Sequence, residues 1–274
     1  MRPSNTKHQE FAPPQELNDI IKCFWYNDSN FGKEETNFEV IPDGYAEIIF
    51  HFGNGCSILQ DGILQKLPSP FLVGLLDQPV HFHTKGCLQI LAIRCFPWTV
   101  FDLLNLNSNK NNVHTFEHPI AKLHTILYDC IKNDNIEKAI NHLKEYFSQA
   151  PISTESLLYK AGIAMRKANG TMPVNQIADA AHSTIRTLER KFKQFSGHTL
   201  KEVSGLMRFE QIRNRLWTNP ESNLAELAVE FGYSDQAHLT KEFKKYTGTT
   251  PAAFARKAKK EKINDHDFVA FIQS

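Results

Sequence analysis

Residues 177–197, IADAAHSTIRTLERKFKQFSG, and residues 227–248, LAVEFGYSDQAHLTKEFKKYTG, carry one pattern twice. The first residues of the two copies are 50 positions apart, whereas their last residues, Gly197 and Gly248, are 51 positions apart. The second copy therefore holds one extra residue between its two helical segments. In each copy a short helix with a small residue at its second position precedes a longer amphipathic helix, which is the pattern of a helix-turn-helix unit. The repeat predicts a helical module with two similar units.

The second helix of each copy is predicted to bury one stripe of side chains and to expose another. In the first copy Ile185, Leu188 and Phe192 have the i, i+3, i+7 spacing of a stripe that faces the core. The exposed face is polar and cationic. Arginine can bind guanine, glutamine can bind adenine and glutamate can bind cytosine at the base edges of the major groove. The candidate DNA-contact residues are Thr184, Arg186, Thr187, Glu189, Arg190 and Lys193 in the first copy and Gln236, Ala237, His238, Thr240, Lys241 and Lys244 in the second.

Several of these residues have a second interpretation. Any of them could simply solvate an exposed helix face. Glu189 could orient a neighbouring arginine through an ion pair instead of accepting a hydrogen bond from cytosine. His238 and Thr240 fit a contact with a base and a contact with a phosphate equally well.

Residues 199–217 separate the two copies and carry apolar residues at helical spacing. The second helix of each copy is the reading helix of its unit. A single helix over residues 199–217 would fix the distance between the two reading helices, and major-groove segments on one face of a duplex recur at about 34 Å. Arg208 and Arg213 lie on this segment and are candidates for phosphate contacts. The alternative role of either arginine is to solvate the helix.

The net charge of +1 hides an uneven distribution. Residues 153–260 carry 18 Lys and Arg against 10 Asp and Glu, a balance of +8, whereas residues 1–152 carry 12 against 17, a balance of −5. Residues 261–274 carry one Lys against three acidic residues, a balance of −2. The basic segment contains both copies of the repeat, so the charge predicts a polyanionic partner for that half alone. A chance imbalance of surface charge is the alternative.

Residues 227–251 follow the pattern L-A-x-x-F-G-Y-x-D-Q-x-H-L-x-x-x-F-K-x-x-x-G-x-T-P, and residues 184–192 carry T-I-R-T-L-E-R-x-F. Both stretches resemble the AraC/XylS family of bacterial transcription regulators, and the resemblance covers residues 155–257. It implies a seven-helix module that binds double-stranded DNA, with each reading helix in one segment of the major groove. It also implies an activator that contacts RNA polymerase. His182 stands where the family usually has glycine, so strain is expected in that turn.

Residues 1–150 are predicted to form a second, β-rich domain. Short apolar runs between residues 38 and 96 are separated by Gly and Pro turns, which is typical of a small barrel or sandwich. Residues 1–14 are expected to be loose, residues 17–25 to form a short helix, and residues 120–147 to form two helices.

The N-terminal half resembles, more loosely, a sensor-like domain that is attached to such modules in a subset of the family. The matching stretches include Ile41-Pro42-Asp43-Gly44 and Phe96-Pro97. The predicted fold class is therefore α+β with two domains. A small cupin-like β-barrel with flanking helices takes residues 1–150, and an all-α, seven-helix double helix-turn-helix module takes residues 151–260. Residues 261–274 end in an apolar run that is expected to dock on the protein.

A ligand site in the N-terminal domain is a further hypothesis. The candidate residues are Trp25, Phe50, His81, Phe82, His83 and Trp98. His81 and His83 share one face of a predicted strand, as metal ligands on a barrel wall could, which raises a cupin-like metalloenzyme as the rival class. No third or fourth metal ligand follows at a suitable spacing. We therefore predict a protein without a metal, a cofactor or enzymatic activity.

The bulk properties favour a cytoplasmic protein with no membrane partner. The five cysteines include no Cys-x-x-Cys pair, which suits reduced thiols. No apolar stretch approaches the roughly 20 residues that cross a bilayer, and the N-terminus lacks the pattern of a signal peptide. A small-molecule effector and a homodimer stay open as partners. So does an N-terminal domain that only recruits or dimerises.

Overall fold

The N-terminal domain is built on ten strands in two antiparallel sheets, counted over the residues that the structure describes. The computed structural model describes residues 4–60, 62–104, 106, 112–150 and 156–263. The strands are β1 (Ser4–Phe11), β2 (Ile21–Asn30), β3 (Thr36–Val40), β4 (Ala46–Gly53), β5 (Ser57–Gln60), β6 (Ile63–Lys66), β7 (Phe71–Val73), β8 (Val80–Thr84), β9 (Cys87–Cys95) and β10 (Val113–His114).

The larger sheet has the strand order β1-β2-β9-β4-β7-β10 and the smaller sheet has the order β3-β8-β5-β6. Trp25, Phe71 and Phe82 belong to the hydrophobic cluster between the sheets. The other face of the larger sheet is covered by α1 (Val100–Leu104), α2 (His124–Lys132) and α3 (Ile136–Ser148). There the rings of Phe24 and Phe147 lie 6.4 Å apart. Because both faces are covered, the inner strands are almost continuously apolar.

The structure corrects three expectations for this domain. Within the described residues the two sheets do not close, so the cupin-like barrel is not confirmed. Residues 4–11, which were expected to be loose, form β1, which pairs with β2 and places Phe11 opposite Phe24. The predicted helix over residues 17–25 is wrong as well. β2 starts inside it, with Cys23 in the cluster between the sheets and Phe24 in the cluster under the helices. A strand buried on both faces gives an apolar run that resembles a helical stripe.

Helices form the C-terminal domain, so the predicted two-domain α+β architecture is confirmed. They are α4 (Leu157–Lys167), α5 (Val174–Ala180), α6 (Ile185–Ser196), α7 (Leu200–Thr218), α8 (Leu224–Glu230), α9 (Gln236–Thr247) and α10 (Pro251–Ile263). α8 begins 50 residues after α5, and α9 begins 51 residues after α6. The repeat in the sequence is therefore a repeat in the structure, with the extra residue in the turn between α8 and α9.

The two units are capped alike but turn differently. Thr184 caps α6 and Asp235 caps α9, each through a side-chain oxygen that accepts a hydrogen bond from the backbone N–H three residues later. In the turn between the two helices His182 has a φ of +51°, where the second unit has Gly232 at +69°. The expected strain is confirmed, because a side chain at positive φ crowds the backbone.

The two domains share part of one hydrophobic core. Phe96 and Trp98 of the N-terminal domain stack with their ring centroids 5.1 Å apart and pack among the residues of the C-terminal helices. Gly162 of α4 lies against the indole, and a Cβ at this position would be 2.2 Å from Cδ2 of Trp98. The missing side chain lets α4 approach the N-terminal domain closely.

Two further predictions fall outside the described residues. They concern the domain boundary at residues 150 and 151, which adjoins the undescribed residues 151–155, and the docking of the tail, since description ends at Ile263 of α10. Among the described helices, none combines the length and the apolar character that a membrane span requires.

Candidate nucleic-acid interface

The reading helices α6 and α9 are seated by buried side chains on one face. Leu188 and Phe192 of α6, like Leu239 and Phe243 of α9, are at most 2% exposed. The predicted core position of Ile185 is wrong, since its side chain is 46% exposed. Ile185 is the first residue of α6, and the turn before the helix leaves it outside the core.

The opposite face of α6 is exposed and cationic. Arg186, Arg190 and Lys193 are exposed, and Thr187 beside them is half-buried. Within the part of the chain that the structure describes, none of these three cations forms an ion pair. Their charges are therefore available for an external anion.

The corresponding face of α9 is more mixed. Gln236, Ala237, Lys241 and Lys244 are exposed, whereas Thr240 is half-buried. The exposed ring of His238 is held from two sides: its Nδ1 lies 3.2 Å from the hydroxyl of Ser234, and the ring meets Tyr233 edge-on at 5.2 Å. Of the polar residues in the first turn, Gln236 is thus the freer one to reach a base.

Glu189 points back into the protein instead of toward the cationic face. Its Oε2 accepts a hydrogen bond of 3.1 Å from the backbone N–H of Leu200, the first residue of α7. No ion pair joins Glu189 to Arg186 or Arg190 in the described residues. Neither predicted role of Glu189 fits this geometry. The carboxylate instead satisfies one of the amides that a helix start leaves unpaired.

α7 joins the two units as one continuous helix. Thr199 and Glu202 form a capping box at its start, in which each side chain accepts a hydrogen bond from the backbone N–H of the other. Farther along, the ring of Phe209 lies 5.1 Å from Phe243 of α9 and 4.9 Å from Tyr246. With 19 residues, α7 is about 28 Å long. The expected single spacer helix is present and is packed against the second reading helix.

Arg208 is held within the module. Its Nη1 donates a hydrogen bond of 3.0 Å to the carbonyl of Gly170, and its guanidinium lies 5.2 Å from the centroid of the Tyr233 ring. Glu242 is 3.8 Å away, and only 17% of the arginine side chain is exposed. The predicted phosphate contact does not fit this position, since the guanidinium already has internal partners.

Arg213 lies between the two domains, so its predicted phosphate contact is wrong in this structure. The residue is 3% exposed and donates a hydrogen bond of 3.4 Å to the carbonyl of Pro42. Burial lowers the pKa of the guanidinium, against the opposing effect of Asp43 and Glu210. Burial raises the pKa of Glu210, one turn earlier on α7, to about 7.

A buried ion pair adjoins this interface from the N-terminal side. Nε of Arg94 lies 2.6 Å from Oε1 of Glu47, and Nη2 of Arg94 lies 3.5 Å from Oδ2 of Asp43. The turn from Pro42 to Gly44 therefore connects the charges of the β-sheet to α7.

The candidate ligand residues of the N-terminal domain do not come together. Trp25 and Phe82 lie in the cluster between the sheets, Phe50 lies under the helices, and Trp98 lies in the core that the domains share. His81 and His83 share the outer face of β8 as predicted, but they stand beside Glu39 and Glu35 at 3.8 and 3.9 Å. Within the described residues no group of three or more His, Cys, Asp or Glu is arranged to hold a metal.

A cavity of about 420 Å³ lies between the domains. Of the candidate ligand residues, Trp98 alone lines it. The other lining residues, which were not among the predicted ligand residues, include Tyr45, Phe96, Arg166, Met207 and Glu210. They are far apart in the chain, so only the tertiary fold reveals them. The guanidinium of Arg166 stacks on the Phe96 ring at 4.8 Å and forms an ion pair with Asp19.

Comparisons with known proteins agree with this arrangement. Residues 177–257 match the family described as helix-turn-helix domain, and residues 9–116 match a domain of unknown function (DUF6597). Over 86 residues the chain is 33% identical to PqrA of Proteus vulgaris, a probable transcription factor, and this match covers 31% of the chain and 70% of PqrA.

Solved structures to which the chain is similar include ToxT and the DNA-binding domain of AdpA. ToxT of Vibrio cholerae O395, bound to (E)-4-(8-methylnaphthalen-1-yl)but-3-enoic acid, has 12% identity and a TM-score of 0.49, with 86% of this chain and 99% of ToxT covered. The DNA-binding domain of AdpA in complex with a target DNA has 21% identity and a TM-score of 0.36, with 39% of this chain and 96% of that chain covered.

Three findings bear on the class of protein: the repeated helix-turn-helix unit, its exposed cations and the match to PqrA. They do not favour the metalloenzyme alternative. The chain belongs to the AraC/XylS family and is a DNA-binding transcription regulator.

Proposed function

We propose that the protein binds one DNA duplex through both units, with α6 and α9 in successive segments of the major groove. The observation that carries this proposal is the pair of exposed, matching reading helices on a single spacer helix. Both helices are seated in the same way, and α7 contacts both units. The spacer helix is about 28 Å long, which is of the order of the roughly 34 Å groove repeat.

The two units are expected to divide the recognition of bases. In the first unit Arg186 and Arg190 are exposed and form no ion pair with any described residue, and arginine suits the O6 and N7 atoms of guanine. In the second unit Gln236, at the first position of α9, is exposed and suits adenine. Thr184, Thr187, Lys193, Ala237, His238, Thr240, Lys241 and Lys244 stay candidates for the remaining base and phosphate contacts. Arg208, Arg213 and Glu189 have internal roles instead.

Selection of bound sequences from random duplexes by the full chain tests this proposal. We expect one asymmetric site with two conserved blocks about one helical turn apart. Arg186→Ala or Arg190→Ala should relax one block and weaken binding by about 1–3 kcal/mol, whereas Gln236→Ala should relax the other. Lys132→Ala is the matched control, since it removes one exposed cation from the N-terminal domain. A single block, or blocks that no variant alters, contradicts the proposal.

We also infer that a small ligand controls the protein from the cavity between the domains. The cavity is lined by α4, α7 and the N-terminal domain, so an occupant would bear on the spacer helix directly. Native mass spectrometry of the purified protein should detect a retained small molecule, and Gln211→Trp, which fills the cavity, should remove it. If Gln211→Trp retains the same small molecule and binds DNA with the same affinity as the wild type, this inference is contradicted.

The remaining assignments stay proposals. They are activation through RNA polymerase, a possible homodimer and a location in the cytoplasm. They also include a domain boundary at residue 150 and a tail from residue 261 that docks on the protein. Transcription with purified polymerase tests the first: more transcript supports an activator, and less transcript indicates a repressor.

A further inference from the structure

Ile185 is an apolar side chain on a surface that is otherwise polar and cationic. Among the described residues of the C-terminal helices, the exposed large hydrophobic side chains are Ile185, at 46%, and Val229, at 78%. Val229 lies on α8, outside the reading helices. Ile185 is the first residue of α6, between the exposed Thr184 and the exposed Arg186.

The seating of α6 prevents Ile185 from turning inward. Leu188 and Phe192 are buried on the core side of the helix, and Thr184 fixes its start through the 3.2 Å hydrogen bond from the backbone N–H of Thr187. Ile185 follows the same stripe but lies beyond the end of the core, and an inward shift of the first turn that buried it would break this cap. The isoleucine therefore stays at the N-terminal end of a reading helix, which is the end that contacts base edges in helix-turn-helix proteins.

We propose that Ile185 contacts the 5-methyl group of a thymine and is a specificity-determining residue of the first unit. This inference rests on the proposed insertion of α6 into the major groove. Thymine is the base that presents a methyl group there, and apolar side chains recognise it by contact. In the second unit the same position holds Gln236, so the two units read different base chemistries at equivalent places.

Replacement of each thymine of the selected duplex by deoxyuridine tests the contact, because the replacement removes only the methyl group. For the wild-type protein, one replacement in the block that depends on Arg186 should weaken binding about fourfold, the value expected for one buried methyl group. For Ile185→Ala the same replacement should have no further effect, and binding to the unmodified duplex should already be about fourfold weaker. Ile185→Val keeps a branched apolar side chain and should keep the sensitivity to deoxyuridine.

Val229→Ala is the matched control, since it shortens the other exposed apolar side chain and should bind both duplexes like the wild type. If Ile185→Ala keeps the deoxyuridine sensitivity, or if no thymine in that block is sensitive, the contact is refuted while the two-groove proposal stands. If the protein selects no duplex at all, the two-groove proposal fails first and this inference fails with it.

Discussion

Replacement of Glu189 separates a structural role from a recognition role on the same helix. In Glu189→Ala the backbone N–H of Leu200 loses its 3.1 Å partner at the start of α7. A capping acceptor of this kind contributes about 1 kcal/mol, and the half-buried position of Glu189 keeps the value near that figure. For a protein of this size the loss corresponds to a fall of about 2–4 °C in Tm.

Thermal unfolding followed by circular dichroism measures this fall. Glu189→Gln keeps an acceptor oxygen and should recover most of the lost stability. Arg190→Ala, at the next position of the same helix, should change the free energy of unfolding by less than about 0.5 kcal/mol, because Arg190 is exposed and has no ion pair in the described residues. The bases selected by Glu189→Ala should match those of the wild type, although α6 is held less firmly.

The opposite pattern would refute the reasoning. If Glu189→Ala kept its Tm and lost a preference for cytosine, the carboxylate would be reading a base. The hydrogen bond to α7 would then be absent in the complex with DNA.

Three further predictions concern stability. The pKa of Glu210 rises from 4.5 to about 7, so the folded protein binds this proton more tightly and loses up to about 3 kcal/mol as the pH rises between these values. The free energy of unfolding of Glu210→Gln should equal that of the wild type near pH 4.5 and exceed it at pH 8. A difference between the two proteins that stays constant across this pH range would contradict the assignment. In Gly162→Ala the new methyl group overlaps Trp98, so the free energy of unfolding should fall by about 1–3 kcal/mol and Tm should fall with it. At an exposed helical glycine the same change would increase stability. His182→Gly should raise the free energy of unfolding by about 0.5–1 kcal/mol without altering base preference, since it relieves a positive φ, and a loss of stability in urea denaturation would rule this out.

The sequence predicts the helical module well because its signals are local. Caps, terminal glycines and the i, i+3, i+7 stripe lie within one helix and its turns, so they locate α6 and α9 without knowledge of the rest of the chain. The single inserted residue between the units is likewise visible in the spacing. Ile185 departs from the pattern because periodicity gives the direction of a side chain but not the point where the core ends.

The predictions that fail depend on what lies opposite a residue. A helical wheel of α7 shows Arg208 and Arg213 as polar positions, yet Tyr233 and the turn at Pro42 cover them. The aromatic residues of the N-terminal half were expected to line one pocket, but three separate cores take them up. Such partners lie many residues away in the chain, and no local pattern encodes them.

The polar contacts that join the domains explain where regulation has to act. Asp19 binds Tyr159 and Arg166 of α4, the carbonyl of Leu75 lies 2.8 Å from Nε2 of His198 in the turn before α7, and the carbonyl of Pro42 accepts from Arg213. These contacts fall on α4, on α7 and on the turn before α7, whereas the second unit packs against α7 and α10. A change in the N-terminal domain would therefore act on α4 and α7 directly and on the second unit only through α7. A ligand in the cavity should then alter the spacing between the two DNA blocks, or the affinity for the first block, and leave the base preference of Gln236 unchanged.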